Sequence, residues 1–386
     1  MCPPEYPLRE EAPMNNKVEV YTICPKCRSR FDWTMGPGLE APNCPKCGFD
    51  ATGRELARKL RNQWQCFEGH TDKVLGARIS PDGRLIASGG GDRVVRLWDI
   101  ATRQQLFALS GHAEEISSVA FLPDGSRVAS SSGDGSIKLW DLEKKEACGT
   151  LTGHTTWVMC MDVMPEGKTI VSGSATPNPA IKFWDVESLM ERFSLSMPCR
   201  VNGIASARNG NLVASANDDG TVTVLDSQSA SVRTTLGGFE KYHQVMSVAF
   251  SPDSRLLAAS TTTVVKLWDV ETFAERATLK ADDEQFAGTS YGIAFSPTGR
   301  VLVAVGGMHV RIWDIHLGKR IKTLHGRSTG LVSVAFHPYD ANIFVTAATS
   351  GLVNVRSLEE KEQGASQPLG TKATTKTEKS WWQFWK

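Results

Sequence analysis

Five tetrapeptides ending in Trp-Asp, set at regular intervals, restrict this chain more than any other feature. RLWD ends at Asp99, KLWD at Asp141, KFWD at Asp185, KLWD at Asp269 and RIWD at Asp314. The spacing between Trp184 and Trp268 is twice the others, and a degenerate copy, TVTVLD, fills it with Leu225 in the Trp place. A seventh copy, LVNVRS, follows with Arg356 there. Seven units thus recur every 41 to 45 residues. A fixed period of this length means that each unit is one supersecondary element, unable to bury its apolar face alone.

Each unit has the same internal order. A short apolar alternation such as VAF comes first. A turn follows: SPDG (80–83), LPDG (122–125), SPDS (251–254) or SPTG (296–299). A second strand, a tight Gly/Asp turn and the strand ending in Trp-Asp complete it. Turn signals every 8 to 12 residues between alternating runs describe antiparallel meanders. The period is that of four-stranded propeller blades, and the count gives seven.

The residues resemble the WD-repeat family, over about three quarters of the chain. Gly69-His70, Gly111-His112 and Gly153-His154 stand where the family has its Gly-His pair. The resemblance implies a hydrogen-bonded set in each complete blade: His70, Ser88, Asp92 and Trp98 in the first, and His112, Ser130, Asp134 and Trp140 in the second. An unpaired buried indole N–H or imidazole costs roughly 1–3 kcal/mol, so the set is read as structural, not catalytic. It decays along the chain. Asn178 holds the Asp position in blade three, blade four keeps Asp219 without His or Trp, and Thr262, Gly307 and Ser350 follow. The family also draws the outer strand of its last blade from the N-terminal side. Residues 64–67, WQCF, are expected to close the ring in this way and so to remove exposed sheet edges.

Four of the nine cysteines form two C-x-x-C pairs, Cys24/Cys27 and Cys44/Cys47, separated by 16 residues. That spacing reads as a structural Zn²⁺ site. Four thiolates complete a tetrahedron and leave no open position for chemistry. The pattern is similar to the zinc-ribbon class, with Phe31 and Trp33 as strand residues. A rubredoxin-type iron centre and thiol–disulfide catalysis are the competing readings; the second is disfavoured by matched pairs without a thioredoxin-like pattern. Lys26, Arg28, Arg30 and Lys46 around the knuckles form a solvated rim or a phosphate contact.

The expected fold is therefore all-β: a seven-bladed WD-repeat β-propeller with a small N-terminal zinc-ribbon domain. Its segments are a disordered 1–17, the ribbon 18–52, a helical linker 53–63, the propeller 64–358 and a flexible tail 359–386 ending in WWQFWK. The remaining cysteines are an odd, irregularly spaced set, unlike an oxidised secreted framework. No secretory signal or spanning segment is read, so the expected localisation is cytoplasmic. A net charge of +1 provides no global field toward nucleic acid or acidic membranes.

The expected partners are other proteins. In the resembling family they meet the face where each innermost strand begins. Repeat alignment puts Trp157, Met159, Arg200, Met246 and Tyr291 there, large groups of the anchoring or adaptable kind. Trp381, Trp382, Phe384 and Trp385 form a second candidate surface. It docks on a partner or on the propeller itself, ahead of a weak membrane contact aided by Lys379 and Lys386. The function class read is a non-catalytic scaffold. The alternative is a nucleic-acid- or ribosome-associated adaptor contacting RNA or DNA through the basic ribbon. No nucleophile–base pairing, P-loop or open metal site is found, and no small-molecule substrate is expected.

Overall fold

The computed structural model describes residues 18–23, 30–35, 65–240, 243–280, 292–325 and 330–360. The expectations for the N-terminus, the four paired cysteines, the helical linker and the aromatic tail lie outside these residues.

The repeat units become seven four-stranded antiparallel sheets, six of them in simple meander order and the seventh completed by a strand from the N-terminal side. Blade one is typical: Val74–Ile79, Leu85–Gly90, Val94–Asp99 and Gln105–Ser110. All of its partners are sequence neighbours. The innermost strands of successive blades pack side by side, and the last, Leu331–Phe336, packs against Val74–Ile79. The ring is closed, and every named strand among the propeller's described residues belongs to a blade.

Local chemistry sets the turns. In SPDG, Ser80 Oγ donates to Asp82 Oδ1 at 2.6 Å and accepts from the Leu85 amide at 2.9 Å. Gly83 follows at φ +76°, where a side chain would strike the His337 ring at 2.4 Å. Glycine is therefore required there twice, by backbone and by space. After each Trp-Asp the aspartate caps the next turn; Asp141 Oδ1 accepts from the amides of Glu143 and Lys144 at 3.0 and 2.9 Å. The fourth residue beyond that aspartate then takes a left-handed conformation in six blades, from Arg103 to Gly318.

The core lies between blades, not within them. Trp98 packs with Val74 and Ile86 of its own blade against Ile343, Val345 and Val353 of blade seven. Trp140 meets Leu97 and Ala87 of blade one in the same way. In blade four Leu225 keeps this role, against Ile181 and Phe183 of blade three.

Closure is as the sequence predicts. Gln65–Phe67 pairs antiparallel with Val353–Ser357 as the outer strand of blade seven. Phe67 is 1% exposed and meets Trp98 edge-on at 5.8 Å. The first and last parts of the repeat region are thus held in one sheet and one core.

Upstream, Val18–Ile23 and Arg30–Met35 form an antiparallel pair in register from Val18 opposite Met35 to Ile23 opposite Arg30. Phe31 and Trp33 lie in the second strand, as predicted.

Candidate functional site

The His-Ser-Asp-Trp sets are assembled as the repeats imply. Trp98 Nε1–H donates to Ser88 Oγ at 2.8 Å, Ser88 meets His70 Nε2 at 2.7 Å, and His70 Nδ1 meets Asp92 at 2.9 Å. Blade two repeats this with Trp140, Ser130, His112 and Asp134 at 2.8, 2.8 and 2.8 Å. Only one proton order satisfies every atom: indole to serine, serine to Nε2, and Nδ1–H to carboxylate. That order needs a neutral imidazole. Burial pushes the pKa of both histidines down, opposed by the aspartates. Blade three lacks the aspartate. Its hairpin is two residues longer, Asn178 is exposed, and His154 bonds Ser172 alone at 2.7 Å. With burial and Lys182 both acting against the charged form, His154 falls to about 4. These buried chains lock blade geometry and present nothing to a substrate.

Four of the predicted partner positions stand at the starts of innermost strands, at one mouth of the central channel; Trp381, Trp382, Phe384 and Trp385 lie outside the described residues. Trp157, Met159, Arg200 and Met246 are all half-buried there; Tyr291 lies outside the described residues. Met159 also packs on the core cluster of Ile181 and Val201. The Trp157 ring covers Gly133 of blade two, where an added Cβ would approach it at 3.3 Å. Arg200 is an organiser of this rim: Nη2 pairs with Asp218 at 2.7 Å and Nε donates to Asn202 at 2.8 Å. Asn202 in turn donates to the Val245 carbonyl at 2.9 Å, tying blade four to blade five. Across the ring Lys73 pairs with Glu115 at 2.8 Å. The mouth is therefore apolar and aromatic within a frame of fixed ion pairs.

Two charged residues of the innermost strands were missed by sequence reasoning. The next-to-last residue of the innermost strand is alanine in five blades: Ala120, Ala205, Ala249, Ala294 and Ala335. It is Arg78 in blade one and Asp162 in blade three. Arg78 Nη1 donates to Ser333 Oγ of blade seven at 3.1 Å. Asp162 accepts from the Ser206 amide and hydroxyl at 2.8 and 2.6 Å. Burial pushes the Asp162 carboxyl up, while Ser206 and the charge of Arg78 oppose this. The departure from alanine at one repeat position was the available signal.

The pattern of the WD domain, G-beta repeat, matches residues 61–99, 103–141, 145–185, 192–226, 231–269 and 285–314, more than half of the chain. The chain belongs to the WD40-repeat family. Among curated relatives, an uncharacterized WD repeat-containing protein of Synechocystis sp. is 46% identical over 160 residues, 41% of this chain and 46% of the relative. A Notchless protein homolog of Arabidopsis thaliana is 51% identical over 43 residues, 11% and 9% of the two chains. Small ribosomal subunit protein RACK1z of the same plant is 49% identical over 51 residues, 13% and 15%. This WD40 chain therefore aligns with less than half the length of each of these relatives.

Six WD40 units match the pattern and seven blades are built. The unmatched unit is the one with Arg356 in the Trp place. Arg356 is 4% exposed, donates to the His325 carbonyl of blade six at 3.2 Å and pairs with Glu360 at 2.8 Å. A cation has taken over the contact that a WD40 tryptophan makes with the preceding blade. Among the described residues no three metal-ligating side chains converge, and Cys24, Cys27, Cys44 and Cys47 are not among those residues.

Proposed function

We propose that this WD40 protein is a non-catalytic scaffold that gathers protein partners at the channel mouth bearing Trp157, Met159, Arg200 and Met246. One observation carries the reading. Half-buried aromatic and thioether groups stand inside a rim fixed by the Lys73–Glu115 and Arg200–Asp218 pairs. Such groups add contact area at little ordering cost, and a preset rim lowers what a partner must organise on binding. The test is quantitative affinity capture with the full chain against Trp157→Ala and Met246→Ala variants. Partners held by wild type and lost by both variants, with unchanged melting, support the mouth. Identical partner sets remove it.

The N-terminal segment supplies a second element of the proposal. The antiparallel pairing of Val18–Ile23 with Arg30–Met35 supports reading Cys24 and Cys27, which fall between these strands in sequence, as the first knuckle of a ribbon. The four cysteines then hold Zn²⁺ in a closed, structural site. One zinc per chain by elemental analysis, lost in Cys44→Ser, is expected. Binding at such sites supplies about 10–16 kcal/mol in small fingers.

Similarity to RACK1z over 51 residues, and of a 41-residue stretch to a ribosome biogenesis protein of Debaryomyces hansenii at 46% identity, favours a second reading. In it the scaffold attaches to ribosomes, and Lys26, Arg28, Arg30 and Lys46 of the ribbon touch RNA. Co-sedimentation with ribosomal subunits that weakens steeply with salt supports this reading. Absence from every ribosomal fraction at low salt removes it.

A further inference from the structure

The propeller has a second concave surface, on the face opposite Trp157. A groove of about 730 Å³ crosses the foot of blade two where blade three adjoins it. Leu142 and Leu189 are half-buried apolar groups on its floor, with Val186 buried beneath them. Leu189 is held over the floor by its backbone. At φ +59° it turns across Gly149, where an added Cβ would meet it at 2.8 Å. The rim is acidic, with Asp124, Asp141, Glu143 and Glu187 against Arg127 alone. Cys148 is an exposed thiol on the wall.

The chain leaves the propeller on this same face. In blade two the Leu142 amide donates to the Ser126 carbonyl at 3.0 Å; in blade seven the Leu358 amide donates to Asn342 at 2.8 Å. The two sites are equivalent, so Glu360 and the groove share one end of the ring. The outer strand of blade seven is already supplied by Gln65–Phe67, and no blade position remains to carry the chain after Ser357 to the other face.

From Glu360, 20 residues lead to Trp381. A linker of that length and polarity has a root-mean-square reach of roughly 22–27 Å and a fully stretched span of about 70 Å. The groove is two blades round the ring, within that range. Charge agrees as well: residues 361–386 contain five lysines and two glutamates, and the rim is acidic. The groove is open to solvent, and its volume leaves room for part of an aromatic run.

We infer that residues 381–386, Trp-Trp-Gln-Phe-Trp-Lys, dock in this groove of their own chain. Their aromatic groups cover Leu142 and Leu189, and neighbouring lysines face the rim. The inference goes beyond the channel-mouth reading and does not rest on it, because the two surfaces lie on opposite faces. An outside partner for the tail then has to compete with the propeller.

Cys148 reports occupancy. The full chain is treated with a maleimide, and labelling of Cys148 is followed by peptide mass mapping, with Cys199 on blade four as reference. A chain with Trp381, Trp382, Phe384 and Trp385 all changed to alanine should label Cys148 on the order of tenfold faster, as for a site filled about nine-tenths of the time. Cys199 should not change, and the wild-type rate should be independent of protein concentration. A second measurement uses indole emission of the tail, taken by difference from the chain ending at Ser380. It should be blue-shifted in wild type and move to the red with Leu189→Asp. Equal Cys148 rates in the two chains overturn the inference, as does a parallel rise at Cys199. Protection that grows with protein concentration assigns the groove to a second copy and overturns docking within one chain. Tail emission that shifts only with anionic vesicles overturns it in favour of a membrane.

Discussion

Blades one and two hold their tryptophans differently from blades five and six. Trp98 and Trp140 donate to Ser88 and Ser130. At the same register, two residues beyond the partner of the tryptophan, blades five and six have Ala259 and Ala304. All four indoles are nevertheless 2–3% exposed. In blade five Phe239 meets Trp268 edge-on at 5.7 Å, much as His112 meets Trp140 at 6.0 Å. The packing is common to both halves of the ring, and the polar chain is an addition to it. Burial of a large side chain between blades makes the propeller; the hydrogen-bonded set fixes its geometry. A motif built on the second property therefore fades before the fold does.

The largest test of that division is removal of the ring itself. Trp140→Ala and Trp313→Ala should each cost about 3–5 kcal/mol in denaturant unfolding. Both leave a cavity between two blades. A small effect for Trp313→Ala alone would mean that the apolar blades can collapse around the loss, and that packing is not shared equally.

What the sequence disclosed follows the same line. The period, the turn residues and the buried tryptophans each repeat, so the seven sheets and the closing strand were legible. The polar sets were legible because His, Ser, Asp and Trp recur at fixed offsets. Arg78 and Asp162 were not, since each occurs once, at a position that is alanine in five other blades. Periodicity hides a lone departure. The rim contacts of Arg200 were also hidden. Alignment places the residue at the mouth, but the pairing with Asp218 depends on how blade four's second hairpin turns back. The identity of a partner follows from neither, because it is a property of the other surface.

The polar addition can be removed without touching the ring. Ser130→Ala leaves the Trp140 N–H and the His112 Nε2 without their partner, and an unsatisfied buried group costs about 1–3 kcal/mol. The loss should exceed what Ala304→Ser restores in blade six, where no histidine waits to complete a chain. Equal and opposite changes for the two substitutions would show that the indole bond alone matters, and that the chain has no cooperative value.

A pH titration separates the complete sets from the incomplete one. His154 is native in its neutral form, with its pKa lowered from 6.5 to about 4. Between these values the unfolded chain binds more protons than the folded one, so stability rises with pH. The contribution is complete above pH 6.5 and is lost as pH falls toward 4. Asp134 stays ionised through this window. Burial works to raise it, but hydrogen bonds from Ser136, His112 and the Ala113 amide prevail and hold it at about 2. In blade two that carboxylate softens the loss by favouring a charged His112. Melting followed from pH 7 to pH 4 should therefore flatten more in His154→Gln than in His112→Gln. The reverse order would mean that the missing aspartate of blade three is replaced by another acceptor.

The smallest test concerns a turn that six of the blades share. Six blades place the fourth residue after the capping aspartate in the left-handed region: Arg103, Lys145, Leu189, Ala230, Phe273 and Gly318. Blade six alone has glycine there, at φ +58°, and an added Cβ would meet nothing within 4 Å. Gly318→Ala therefore isolates the backbone term. A methyl group in that region costs about 1–2 kcal/mol against glycine when the turn is rigid, partly offset by the lower freedom of the unfolded chain. The expected net loss is about 1 kcal/mol or less. The other five blades carry side chains at this position, and some recover the strain by packing: Phe273 lies against the cluster of Trp268 and Leu257, and Ala230 against that of Leu225. An alanine at 318 faces open space and recovers none. A neutral or stabilising Gly318→Ala, measured by denaturant midpoint at constant slope, would mean that the capping aspartate, not the glycine, dictates the turn. Asp314, held by the amides of His316 and Leu317 at 3.0 Å each, would then be the residue to replace next.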